Sequence, residues 1–198
     1  VELIKKSKVH ITAQDYGSDG VYIRQDKVTD DEATLSFTAK VRNTETKARK
    51  VIVSFLIKEQ DGKVLEEHKQ EVTIEADATM PVTGILRVHH PHLWNGKKDP
   101  YLYTTEVQVK IGSKITDNYV CPLGIRYYSI DPDKGFILNG HSYPLRGVSL
   151  HEERKDKGNA VSDTERKEDI DRIVAMGSNY IRLSHYQHGD FTYRYLDS

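Results

Sequence analysis

The sequence predicts a mixed fold: an immunoglobulin-like antiparallel β-sandwich followed by the beginning of a parallel α/β domain. Three observations predict it. Apolar residues alternate with polar ones in short runs up to about Arg126, turn residues separate the runs, and from about Gly135 the pattern becomes strand, helix, strand, helix.

The first half is built from period-2 segments. Leu35, Phe37, Ala39 and Val41 alternate with Thr34, Ser36, Thr38 and Lys40, the pattern of a half-buried strand. Val51, Val53, Phe55 and Ile57 repeat it before a turn at Asp61-Gly62, and Thr105, Val107, Val109 and Ile111 repeat it before Gly112-Ser113. Weaker strand segments are Val9–Ala13, Val64–Ile74, Val82–Val88 and Ile115–Val120. About seven short strands with no helical period between them suit a sandwich. The cysteine–tryptophan–cysteine hallmark of antibody domains is missing, so only the architecture is implied.

The second half has different signals. Phe136–Leu138 and Ser142–Leu145 flank Asn139-Gly140, the strongest short hairpin signal. Gly147-Val148-Ser149-Leu150-His151 is expected as a short buried strand. Ser162 and Glu165 have capping-box spacing, Ile170, Ile173 and Val174 share a helical face, and Gly177 suits the C-terminal cap. Asn179–His185 predicts a second strand, and Asp190 is expected to cap a second helix carrying Phe191, Tyr195 and Leu196. The change of pattern near residues 124–135 sets the boundary, giving domains 1–128 and 129–198.

Composition narrows the partners. Twenty-nine basic and thirty acidic residues leave a net charge of −1 over 198 residues, so neither nucleic acid nor an anionic membrane surface is the natural partner. The basic run Lys47-Ala48-Arg49-Lys50 is expected to be a solvated hairpin tip. No apolar run approaches the roughly 20 residues of a membrane span, and Val1-Glu2-Leu3-Ile4-Lys5-Lys6 lacks signal-peptide character. Cys121 is the only cysteine, which leaves the compartment open between cytoplasm and periplasm. The chain starts on Val1 in strand-like sequence and stops inside a helical pattern at Leu196-Asp197-Ser198, so both ends are expected to be cut.

Functional groups of parallel α/β folds gather at the carboxyl ends of strands, where His151 and His185 both stand. Neighbouring strands lie about 4.8 Å apart, so two such residues can converge on one ligand. Imidazole can donate to hydroxyl groups of a ligand and changes charge near neutrality. The competing reading is a pair of unrelated loop histidines, and a zinc site lacks a third ligand at suitable spacing. His89-His90-Pro91-His92 has the composition of a metal site, but Pro91 and the adjacent Trp94 favour a structural role. Arg146 and Arg182 fall in or beside apolar strands, so each is expected to meet a carboxylate. Glu152 and Glu153 are sequential and project apart, which suits solvated or salt-bridged roles better than a catalytic pair.

One set of motifs carries a resemblance. Gly124-Ile125-Arg126, Gly135–Gly140, Leu145-Arg146-Gly147-Val148 and His151-Glu152 resemble the entry to the barrel of glycoside hydrolase family 2. Asp169-Ile170, Met176-Gly177, Asn179, Ile181-Arg182 and Ser184-His185-Tyr186 continue the match in order, and Trp94 with Pro100-Tyr101-Leu102-Tyr103 resembles the end of the family's sandwich domain. The family includes β-galactosidases, β-glucuronidases and β-mannosidases, and Arg154–Ala160 looks most like the β-galactosidase branch. His185-Tyr186-Gln187-His188 departs from the commoner version with proline in third place, and such a variant is similar to β-galactosidase-like sequences of gut bacteria. Ser149 and Leu150 replace a common asparagine and arginine, so a sugar contact from that arginine is not carried over.

The resemblance implies that the second domain is the first two βα units of a truncated (β/α)8 barrel. It implies a retaining double displacement on terminal β-galactosides, with two carboxyl groups about 5 Å apart. Those glutamates and the family's active-site magnesium ligands would lie beyond Ser198, leaving no catalytic residue, metal or cofactor in this chain. By matched motif, His151 and His185 would contact the galactosyl group and Arg182 would support the charge of the nucleophile. Two strands cannot close a barrel, so their exposed edges are expected to fold back on the sandwich, to pair with another copy or to be poorly ordered. The rivals are a β-glucuronidase or another hydrolase of the same family, and a non-catalytic sandwich module that binds carbohydrate or protein.

Overall fold

The computed structural model describes residues 3–198, so Val1 and Glu2 of the N-terminal segment lie outside the described residues. The chain divides into two compact units, residues 1–92 with 103–125 and residues 93–102 with 126–198. Among the described residues no helix is long and apolar enough to cross a membrane.

The first unit is an antiparallel sandwich of eight strands: β1 (Val9–Ile11), β2 (Val21–Val28), β3 (Glu32–Asn43), β4 (Arg49–Lys58), β5 (Val64–Ile74), β6 (Ala78–His89), β7 (Tyr103–Ile111) and β8 (Lys114–Leu123). In one sheet β3 pairs with β6 along its whole length on one edge and with β2 and β1 in succession on the other. The second sheet runs β5-β4-β7-β8. The alternation seen in the sequence becomes two inner faces. Leu35, Phe37, Ala39 and Val41 of β3 are fully buried, as are Val51, Val53, Phe55 and Ile57 of β4 and Val109 of β7. The Phe37 and Phe55 rings meet at 5.7 Å across the core. Asn43, also fully buried, has its polar groups satisfied. Its amide donates to the carbonyls of Lys47, Ile74 and Glu75, and its oxygen accepts from the Glu45 amide, which fixes the β3–β4 turn. The basic run is at that turn, where Arg49 pairs with Glu45 and Lys50 with Glu71.

Strand β2 has no weaker-pattern counterpart in the sequence reading. None of its residues is fully buried, and after Ile23 its sequence is Arg-Gln-Asp-Lys, so hydropathy cannot report it. Backbone pairing to β3 makes it a strand.

The second unit begins with Leu93–Leu102, which includes a 3-10 turn at Gly96–Lys98. This segment is tied there by local bonds. Trp94 Nε1 donates to the Asp197 carbonyl at 2.8 Å, Lys97 donates to the Ser178 carbonyl, and the Arg126 guanidinium lies 5.0 Å over the Trp94 ring. Strands β9 (Tyr128–Asp131), β10 (Gly135–Leu138) and β11 (His141–Ser142) form a small antiparallel sheet. Asn139 and Gly140 turn β10 into β11 with φ of +48° and +76°, the left-handed pair that a tight hairpin needs.

Next come β12 (Gly147–Leu150), α1 (Asp163–Ala175), β13 (Tyr180–Leu183) and α2 (Asp190–Asp197). Ser162 and Glu165 form a complete capping box at the start of α1. At its end Ser178 donates to the Ile173 carbonyl and Gly177 to that of Val174, with Gly177 at φ +88°, which is a Schellman cap. Ile170 and Ile173 are buried, but Val174 is 42% exposed.

Three expectations need correction. Strand β12 is not buried: Gly147, Val148 and Ser149 are exposed and Leu150 is half-buried, because β13 is its only sheet neighbour here. Arg146 and Arg182 are exposed as well, so within this chain burial imposes no carboxylate on either. Asp190 is the first residue of α2 rather than its cap, a place taken by Gly189.

The capping box yields a pH prediction. The Lys157 ammonium, then the Ser162 amide and hydroxyl, hold the Glu165 carboxyl down to about 2. An unfolded glutamate titrates near 4.3. The folded value is the lower one, so this contribution to stability is complete above about pH 4.3 and is lost as pH falls toward about 2. A carboxyl-carbon titration by NMR should place the Glu165 midpoint near 2; a midpoint near 4 would show that the contacts do not act on the charge.

Candidate active site

Strands β12 and β13 are parallel, in register from Gly147 opposite Tyr180 to Leu150 opposite Leu183. The Ser184 amide donates to the Leu150 carbonyl at 3.0 Å and extends the ladder by one step. Equal strand ends put His151 and His185 side by side, with ring centroids 5.3 Å apart and planes at 79°. The peptide between Ser184 and His185 is cis.

Close approach of the two backbones depends on Gly147. A Cβ there would lie 1.8 Å from the Tyr180 carbonyl oxygen. Asn179 adds a side-chain clasp at the same end. Its oxygen accepts from the Arg146 amide at 2.7 Å and its amide donates to the Pro144 carbonyl at 3.0 Å.

Arg182 donates to Ser184 Oγ at 2.8 Å and approaches His185 Nδ1 at 3.3 Å. A guanidinium only donates, so this contact suits an imidazole whose Nδ1 is free and whose Nε2 carries the hydrogen. Both His151 and His185 are exposed. Together they present ring N–H groups of the kind that bind hydroxyls.

The loop after β12 is held to α1 by charge. Arg154 donates to both carboxylate oxygens of Asp169, at 3.2 and 2.7 Å, to the Glu165 carbonyl at 2.7 Å and to Glu168. An open groove of about 690 Å³ lies here, lined by His151, Glu153, Lys155 and Lys157 with Glu165 and Asp169.

Of the side chains around the histidines, Tyr186 and His188 stood in the sequence only as parts of the family motif, and Glu152 only as a salt-bridge candidate. Tyr186 packs 6.4 Å from the His151 ring and stacks on His188 at 5.1 Å. Glu152 accepts from Arg166 at 2.6 Å, the salt-bridged role expected for it, whereas Glu153 is exposed. The His89–His92 run does not converge on a metal: His89 faces Glu32 and His90 faces Asp31, each at 3.8 Å. Among the described residues no three His, Cys, Asp or Glu side chains are grouped to hold a metal ion. None is therefore assigned as a ligand of the magnesium that the resemblance implies.

The family model for glycosyl hydrolases family 2 matches residues 9–126, and the model for that family's TIM barrel domain matches residues 131–198. The chain belongs to glycosyl hydrolases family 2. Its two βα units are accordingly the start of a TIM barrel domain. Among family 2 relatives, a β-glucuronidase of Bacteroides fragilis is 36% identical over the whole of this chain, and a β-galactosidase of Bacteroides ovatus is 30% identical over 93% of it. The chain spans only 28% and 21% of those two proteins. A solved structure from Bacteroides fragilis, assigned as a β-galactosidase, superposes with a TM-score of 0.94 at 32% identity over 97% of this chain and 28% of its own. A Bacteroides uniformis β-glucuronidase superposes at 0.92, with 30% identity over 96% of this chain and 23% of its own.

The Gly147 contact can be tested directly. Gly147→Ala should force β12 away from β13 and weaken hydrogen-exchange protection at Ser184, whose amide bonds to Leu150, while the amides of β3 and β4 keep theirs. Unchanged protection at Ser184 would mean that the strands tolerate the methyl group.

Proposed function

We propose that the protein is an exo-acting, retaining β-glycosidase, and that this chain supplies one wall of the pocket that grips the terminal sugar. The observation that carries the reading is the convergence of the His151 and His185 rings at the carboxyl ends of adjacent parallel strands. Barrel enzymes bind and react at that face. Each imidazole N–H would hydrogen-bond a sugar hydroxyl. Arg182, which holds His185 and Ser184, would also lend positive charge beside the carboxylate that attacks the anomeric carbon. Such groups contribute by orienting the sugar and by bonds that strengthen in the oxocarbenium-like transition state.

The proton donor and nucleophile are assigned to the remainder of the enzyme. A retaining pair needs two carboxyl groups about 5 Å apart on opposite sides of the bond, one of them protonated before the reaction. Glu152 does not suit the acid role. The Arg166 guanidinium, helped by the Gly189 amide, holds its carboxyl below the usual range.

The glycone favoured by the Arg154–Ala160 loop is a β-galactoside. A second reading, a β-glucuronidase, is supported by the relative that is 36% identical over the whole chain. The two substrates differ at C6, where a glucuronide carries a carboxylate that needs a cation.

Steady-state kinetics of the full-length protein on 4-nitrophenyl β-galactoside and β-glucuronide separate them. A preference for galactoside of about 100-fold or more in kcat/KM is expected, the reverse preference gives the second reading, and no turnover of either sinks both. His185→Phe should lower kcat/KM by about 100- to 1000-fold, as loss of a transition-state donor does; near-wild-type kinetics would remove its role. The 198-residue chain alone should show no turnover.

A further inference from the structure

We propose that Glu152 is a positioning residue whose carboxylate clamps the end of β12 to α1 and to the segment entering α2, and so fixes His151 and His185 relative to each other. The inference rests on the reading of those histidines as sugar-binding groups.

The clamp has three arms, all within the second unit. Glu152 Oε1 accepts from Arg166 of α1 at 2.6 Å. Oε2 accepts from the Gly189 amide at 3.2 Å and lies 3.3 Å from Nδ1 of His188. The Glu152 backbone amide donates to the Tyr186 hydroxyl at 2.9 Å. Thus the residue after His151 reaches across to the residue after His185 and to the helix start beyond it.

Several details show a shielded, built arrangement rather than a surface ion pair. The Glu152 and Arg166 side chains are 12% and 18% exposed, and that of His188 is fully buried. Among the described residues His188 Nδ1 makes no hydrogen bond, and it lies 3.3 Å from the Glu152 carboxylate. Gly189 matters because the Arg166 guanidinium lies against it, where a Cβ would come within 3.2 Å of the guanidinium carbon. Arg166 is in turn braced by Asp163 at 2.7 Å. Tyr186 is stacked on one side by His188 and met at its edge by His151. Removing the charge of Glu152, and with it one of its two acceptor oxygens, would loosen its joint hold on Arg166 and the Gly189 amide. Displacements of about 1 Å at positioning groups cost on the order of 100-fold in rate.

The clamp members sit one step behind the groups that would touch sugar, which makes a double-mutant cycle decisive. In the full-length protein, assayed on whichever of the two nitrophenyl glycosides it turns over, Glu152→Gln should lower kcat/KM about 10- to 100-fold. In a His185→Phe background the same change should cost at least about 3-fold less, because one of the two contacts it positions is already gone. A purely structural role would cost the same factor in both backgrounds and would overturn the proposal. Should Glu152→Gln fail to fold, Tyr186→Phe removes only the hydroxyl that receives the Glu152 amide, and it should show a smaller loss with the same non-additivity. Wild-type kinetics for Glu152→Gln, or for Tyr186→Phe where that variant stands in, beside an impaired His185→Phe would overturn the clamp and leave the sugar-binding reading intact. Wild-type kinetics for His185→Phe itself would overturn that reading and the clamp with it.

Discussion

The parallel pairing of β12 with β13 is the constraint on which the candidate site depends. Four residues on each strand fix it, and the strands end together at Leu150 and Leu183. A slip of one residue would turn every side chain to the opposite face and carry His185 away from His151. The glycine at one end of the pair allows the backbones to meet, and the Ser184 amide closes the other end on Leu150. The 5.3 Å separation of the imidazoles follows from that register.

Around this pair, guanidinium groups tie the loops to α1. Arg154 and Arg166 each engage more than one acidic residue, one holding the long loop after β12 and the other holding Glu152 and Asp163. A planar guanidinium offers several donors in fixed directions, which suits it to joining separate pieces of chain. Salt bridges of this kind contribute little where solvent screens them. Their value here is geometric, since they join the loop after β12 and Glu152 to α1.

The sandwich works by a different principle. Its two inner faces bring Phe37 against Phe55 and surround them with Leu35, Val41, Val51 and Ile57, all fully buried. Burial of that many apolar side chains, each contributing about 1.5–3 kcal/mol before conformational entropy is counted, is the main stabilising contribution in the unit. The fully buried amide of Asn43 is tolerated because its hydrogen-bonding groups are engaged at a turn.

Much of this was legible in the residues alone. Strands β3, β4 and β7 were visible because one face of each is buried, which writes a period of two into the sequence. The Asn139-Gly140 turn, the Ser162–Glu165 box and the Gly177 cap were visible because each is a local demand on backbone shape, met by few residue types. Ordered motifs from Trp94 to Tyr186 carried the family, and His151 and His185 stood out as strand-end residues. Strand β2 was invisible because it is held by pairing rather than by burial. The exposure of β12, Arg146 and Arg182 was misread because an apolar run does not say how many neighbours it has. The union of Glu152 with Arg166, Tyr186 and Gly189 was also hidden, since these residues lie 14 to 37 positions from Glu152. Local geometry and hydropathy are properties of a segment and can be read from it. Register, exposure and the sharing of one carboxylate among three elements depend on which segments meet, and only the tertiary structure decides that.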